Sequence, residues 1–197
     1  FGIKLVHIAL LLVLALSFVA RIWPLEHVHW WDETVHLQHG EIIAGLRENN
    51  YSELSSRPPM LGVFFAIGFL ALKSAYTASF IVALLGTLGA ACIYLIGKEM
   101  YSEKEGLIAA LLMGLSPFVA QNSHYLLPDV PALALLSAGF YFFLLHSKGT
   151  SRTHGILAGA FFGLAFLAKF PAILPVAAIL IFSGLGSIFA GKQTQSL

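Results

Sequence analysis

Charge is what this sequence has least of. Asp, Glu, Lys and Arg make up 11% of the chain, while hydrophobic residues make up 58%. A soluble domain carries about 25% charged residues, so the shortage excludes a water-soluble globular protein and leaves an integral membrane protein. The net charge of +1 supplies no basic excess for holding nucleic acid. The one cysteine, Cys92, lies in an apolar run; this rules out an intrachain disulfide and a cysteine metal cluster. Acids are rare outside one stretch: Glu99, Glu103 and Glu105 share a short loop, and Asp129 stands alone.

What is present is a series of apolar runs with one long polar interruption, residues 21–57. The expected fold is all-α: a polytopic helical membrane protein with about six transmembrane helices, plus interfacial helices in a long first outer loop. Ile3–Ala20 is long enough to span, since ~20 residues cover a hydrocarbon core of ~30 Å. It is read as a retained first membrane helix rather than a signal peptide. Arg21, Trp23 and Pro24 end it, with Trp and Arg as interface residues. Residues 21–58 form the first extracytoplasmic loop. Within it, Glu33–Asn49 has helical spacing that suits an amphipathic helix on the membrane surface. Ser55-Ser56-Arg57-Pro58-Pro59 breaks the chain before the next helix. Six apolar runs follow: Met60–Leu72, Ala75–Ile96, Leu107–Ala120, Val130–Leu145, Ile156–Ala168 and Ala172–Ala190. Small residues such as Gly86, Gly89, Gly155, Gly159 and Gly163 are expected to let these helices pack closely.

Parity sets the sidedness. If all six runs span, Arg57 and Asp129 fall on opposite sides. If residues 59–72 form an interfacial or re-entrant helix, Asp32, Arg57, Asp129 and Lys169 share the outer side. Lys4, Lys98, Lys104, Lys148, Arg152 and Lys192 then share the other, which is the positive-inside pattern. Met60–Leu72 would reach only about 20 Å at 1.5 Å per residue. The whole of residues 1–197 is therefore expected to be a single transmembrane domain with both termini cytoplasmic.

The ionisable groups at the outer ends are the candidates for chemistry. A carboxylate in hydrocarbon costs about 2.5–3.5 kcal/mol, so Asp32 and Glu33 must meet water or a polar cavity. Each can serve as a general base or cation ligand, or as a cap at the start of the following helix. Asp129 has the same two readings, and with Asp32 it can hold a divalent cation. Arg57, stiffened by two prolines, suits bidentate phosphate binding or lipid headgroups. Lys169 is a second phosphate contact or a snorkelling anchor. His27, His29, His36 and His39 gather in the polar segment. His36 and His39 can share a metal with Asp32 one turn earlier, although the spacing is not the metalloprotease signature. His36, His124 and Tyr125 are candidates for lining the cavity; the other reading of His124 and Tyr125, and the favoured one, is that they are polar loop residues.

Several stretches, in order, resemble one family. Trp31-Asp32-Glu33-Thr34 is similar to the first-loop acidic motif of polytopic glycosyltransferases of the GT-C class, in particular the protein O-mannosyltransferase and aminoarabinose-transferase group. Arg57-Pro58-Pro59-Met60-Leu61 resembles that group's basic-Pro-Pro-Leu motif. Residues 94–101 resemble its post-helix loop. Leu111–Pro117 with Leu127-Pro128-Asp129-Val130-Pro131 resembles its second acidic loop, and Gly159–Pro171 its lysine-bearing stretch. Arginine stands for the usual lysine at Arg57, and Ala168 for a frequent threonine. The resemblance implies a hexosyltransferase that takes a sugar from a polyprenyl or dolichyl phosphate carrier. The acceptor would be a protein hydroxyl or a lipid, on the extracytoplasmic face. Asp32 would be catalytic, with Glu33 supporting it and Asp129 completing the acceptor or ion site; Arg57 and Lys169 would bind the donor phosphate. Family members are longer, so the chain is expected to be an N-terminal part. The reading from another class is a non-catalytic polyprenyl-phosphate-binding subunit or a lipid-linked-substrate transporter.

Overall fold

A computed structural model describes residues 5–23, 30–49, 57–72, 74–149 and 151–194, with side chains described as far as residue 185. Expectations placed on Lys4, Pro24, His27, His29, Ser55 and Ser56, and on the side chain of Lys192, lie outside the described residues. Helices account for nearly all of what is described, and no strand occurs among these residues. The helices are α1 (Leu5–Ile22), α2 (Trp31–Ile43), α3 (Met60–Leu72), α4 (Tyr76–Met100), α5 (Glu103–Gly114), α6 (Pro117–His124), α7 (Asp129–Ser147), α8 (Arg152–Ala168) and α9 (Ile173–Thr194). A 3-10 turn, Phe170–Ala172, links α8 to α9.

The protein is an all-α membrane protein. Among the described residues, α1, α4 and α7 are long and apolar enough to cross a bilayer. The pair α5–α6 adds a fourth crossing if taken as one span, bent by 50°. The uninterrupted run expected at Leu107–Ala120 is thus divided. Pro117 cannot continue a helix from the preceding turn but fits the first position of a new one. Ser116 caps that new helix, its Oγ accepting from the Val119 N–H at 3.4 Å. Helices α3 and α8 are apolar but shorter.

Helix α2 also departs from expectation, ending at Ile43 rather than Asn49. Gly45 takes a left-handed φ of 71°, and its N–H and that of Leu46 return to Ile42 and Glu41 carbonyls. This is a glycine stop. Polar residues lie on the buried side of α2, where Glu33 and His36 are enclosed with Val35, Leu37 and Gly40. A purely amphipathic surface helix would put those two in water. Here Gly40 lets the helix sit on α3: a Cβ at that position would come within 2.6 Å of Phe65 Cβ.

Two ends of the bundle can be distinguished. At one, α4 finishes against the start of α5. Gly97 and Gly106 touch there backbone to backbone, since a Cβ on Gly97 would lie 2.7 Å from Gly106 Cα. Lys148, after α7, pairs with Glu99 at 2.7 Å, and Lys98 with Glu103 at 3.2 Å. At the other end lie the start of α4, the start of α7 and the close of α8. One core cluster joins Leu61 and Phe69, near the two ends of α3, to Leu37, Val82, Leu126 and Val130. The small residues divide between two fates. Gly89 packs on Ala134. Gly159 and Gly163 instead face an open apolar groove of about 790 Å³ between α7, α8 and α9.

Candidate active site

Two carboxylate–base pairs form, one of them at the α7 start. The Arg57 guanidinium donates to Asp32 Oδ1 at 2.8 Å, joining the break before α3 to the first turn of α2. The Lys169 ammonium donates to Asp129 Oδ1, joining the close of α8 to the first residue of α7. Neither acid is the cap of its helix. Trp30 and Pro128 hold those positions, and the Trp30 N–H donates to Glu33 Oε2 at 3.1 Å. Capping thus belongs to Glu33, which is 1% exposed, and Asp32 is left for other contacts. Both acids still gain from the positive end of a helix dipole.

His36 is enclosed one turn after Asp32 on α2. It is 3% exposed, and its Nδ1 has no hydrogen-bond partner among the described residues. Burial pushes its pKa down to about 4; Arg57 adds to the depression, Asp32 opposes it, His39 adds again and Asp129 opposes. One imidazole therefore feels three of the four paired groups. His39 is also held low by burial. The neutral form of His36 is the folded form at physiological pH, which has a consequence for stability. Between the ordinary 6.5 and about 4, the unfolded chain binds a proton that the folded chain refuses. Stability is complete above the upper value and is lost as pH falls toward the lower one. Acidifying purified protein from pH 7 to 5 should remove roughly 2 kcal/mol through this group, read as a falling unfolding temperature. His36→Gln should flatten that dependence; an unchanged slope in the variant would mean that another group controls it.

A cleft of about 250 Å³ opens beside the first pair, lined by Trp30, Asp32, Glu33, Tyr125 and Leu127. Tyr125 is half-buried at the end of α6, where the chain turns toward Asp129. His124, the last residue of α6, is not in the lining. Among the described residues no group of three or more His, Cys, Asp and Glu side chains is placed to share a metal ion. The His36–His39–Asp32 metal arrangement is thus absent there. In this structure Asp32 is paired with Arg57 and Asp129 with Lys169.

One residue here carries no signal in the sequence beyond its place at the end of a span. Arg21, expected at the membrane interface, is 1% exposed. Its Nη1 donates to the carbonyls of Ser17 at 2.9 Å and Gly114 at 2.6 Å, and to Ser17 Oγ; its Nη2 reaches the Met113 carbonyl at 3.2 Å. The Met113 and Gly114 carbonyls are at the end of α5, left without helical donors by the break. Gly86 makes room for the guanidinium, since a Cβ there would lie 2.7 Å from Arg21 Nε and 2.9 Å from Val130 Cγ1. Arg21 thus touches the join between α5 and α6 and packs close to the residue that follows Asp129.

Fold and site together define a helical membrane protein with paired acids and bases from four chain segments gathered at one end of its bundle. The chain belongs to the dolichyl-phosphate-mannose-protein mannosyltransferase family, whose sequence pattern matches residues 56–190. That match takes in Arg57, Asp129 and Lys169, while Asp32 and Glu33 precede it. The family is one of glycosyltransferases. No curated protein matches the chain in sequence.

Proposed function

We propose that this chain moves a sugar from a polyprenyl or dolichyl phosphate carrier to a hydroxyl group of a protein or lipid acceptor, at the extracytoplasmic face of the membrane. The observation that carries the reading is the pairing of Arg57 with Asp32 and of Lys169 with Asp129, in a member of this family. An ion pair as exposed as Arg57–Asp32 contributes about 1 kcal/mol or less, so it opens readily. The donor phosphate takes Arg57, and Lys169 adds a second cation. Asp32 is then released to act as a base. The acceptor oxygen attacks the anomeric carbon, its proton passes to the Asp32 carboxylate, and the bond from that carbon to the phosphate oxygen breaks. The electron pair leaves with the lipid phosphate, which gains a negative charge. Cations placed where charge develops stabilise the transition state. Glu33 keeps the first turn of α2 in place, and Asp129 holds Lys169 until donor arrives.

The test is transfer of radiolabel from a polyprenyl-phosphate sugar to a hydroxyl acceptor by purified protein. Donor binding without transfer, under every acceptor tried, would instead favour a non-catalytic subunit or a transporter.

Sidedness has its own test. In this reading α3 lies in the outer interface and does not cross, so Arg57 and Asp129 face the same compartment. In a Cys92→Ser background, Pro59→Cys and Gln121→Cys should both react with an impermeant maleimide in intact cells. Lys148→Cys should react only after permeabilisation. Reaction of only one of the first two would mean that α3 spans.

A further inference from the structure

The groove between α7, α8 and α9 takes no part in the chemistry above, and its two ends differ. Its walls are apolar, with Phe143 from α7, Phe162 and Phe166 from α8, and Val176 and Leu180 from α9. Gly159 and Gly163 leave it open along α8, since a Cβ at either would meet nothing within 4 Å. The ionisable groups in the lining are His146 and Arg152, and no acid is among them. Both stand at the Lys148 end of the bundle, because α7 finishes at Ser147 and α8 begins at Arg152. Lys169, at the far end of α8, is not in the lining and is held by Asp129.

The charge at this mouth is unrelieved. Arg152 is exposed and forms no ion pair with another described residue. It lies in the first turn of α8, which carries no acid, so a cation is set against the positive end of a helix. Beside it, His146 Nδ1 meets the Ser151 carbonyl at 3.2 Å. Gly155 makes room for that ring, as a Cβ there would lie 3.2 Å from it. An anion at the mouth offsets both Arg152 and the helix end, and a guanidinium matches phosphate in shape. From Arg152 to Phe166 the groove follows α8 for about 21 Å at 1.5 Å per residue. That is more than half of a hydrocarbon core of ~30 Å, which is the depth an acyl chain of one leaflet needs.

We propose that the groove is a site for an anionic phospholipid, with the lipid phosphate on Arg152 and an acyl chain laid over Gly159 and Gly163. The lipid belongs to the leaflet at the Lys148 end, which is the inner one in the orientation proposed above. Basic pockets between membrane helices on that side hold acidic headgroups. Charge decides between this occupant and others. A polyprenyl phosphate with its phosphate at Lys169 would enter from the opposite end and leave Arg152 without an anion. A second copy of the chain would cover Arg152 with apolar surface, and an uncompensated buried charge is costly.

Native mass spectrometry of the purified full chain, with dioleoyl phosphatidylglycerol and dioleoyl phosphatidylcholine as probes, tests the site. Phosphatidylglycerol should bind about tenfold more tightly than phosphatidylcholine. Arg152→Gln should erase that preference, and Arg152→Lys should keep most of it. Gly159→Leu should weaken phosphatidylglycerol binding about tenfold by filling the groove. Arg152 is exposed and Gly159 faces open space, so neither change threatens the core. Equal binding of the two lipids, or a preference that survives Arg152→Gln, would overturn the site. Phosphatidylglycerol binding that falls with Lys169→Gln and not with Arg152→Gln would give the groove to a lipid headed at the other end. A dimer that comes apart in Gly159→Leu would mean that a second copy covers it.

Discussion

Replacing Asp32 with Asn should reduce sugar transfer by about a thousandfold while leaving donor binding unchanged or slightly tighter. The size follows from the role, because general bases contribute roughly 10²–10⁴ in rate. The amide keeps the shape of the carboxylate but cannot take the acceptor's proton. The direction of the binding change follows from the structure. Asp32 occupies Arg57 in the resting protein, so a neutral Asn leaves the guanidinium free for phosphate. The fold should tolerate the change, since Asp32 is exposed and does not cap α2. Glu33→Gln is a poor substitute test, because Glu33 is enclosed and holds the Trp30 N–H. Single-turnover transfer and equilibrium donor binding, measured on the same preparations, check both halves. If Asp32→Asn keeps more than a tenth of the rate, the base is elsewhere. If rate and donor affinity fall together, Asp32 holds donor rather than activating acceptor.

Apolar runs made the helices legible, and the four charged residues at one end of the bundle could be listed from their isolation. Their partners could not be assigned. Arg57 meets Asp32 across 25 residues and Lys169 meets Asp129 across 40, and a hydropathy pattern holds no information on such distances. The end of α2 was hidden for another reason: Leu46 continues the helical spacing, while the stop comes from one glycine turning left-handed at Gly45. The break between α5 and α6 was written in Ser116-Pro117, but an apolar run on both sides masked it. Trp30 and Leu127 look like ordinary interface residues until the turn after α6 brings Leu127 and Tyr125 opposite α2. His36 was picked out by the company of other histidines, whereas its burial depends on α2 placing its polar face inward.

Arg21 is the clearest case of a position whose meaning depends on a neighbour's failure to be regular. At the end of a first span, an arginine is expected to snorkel toward headgroups. It turns inward because α5 stops at Gly114 and leaves carbonyls that no helical N–H can reach. Substituting Arg21→Met should therefore destabilise the protein by roughly 3 kcal/mol, since each buried acceptor left unpaired costs about 1–3 kcal/mol. Relief from burying a charge works in the other direction. It does not win, because the two terminal nitrogens of this guanidinium serve three carbonyls and a hydroxyl that methionine cannot serve, even though its Nε has no partner among the described residues. Arg21→Lys should fall between the two, as an ammonium lacks the fork that spans Ser17, Met113 and Gly114 together. Activity should fall further than stability does. With the join loosened, α6 no longer fixes Tyr125 and Leu127 over the cleft, so turnover should drop while binding of polyprenyl phosphate at Arg57 persists. Thermal unfolding in detergent, read beside kcat and donor affinity for both variants, separates these effects. A methionine variant as stable as the parent would mean that the bend holds without the arginine, and that Ser116 and Pro117 are sufficient to make it.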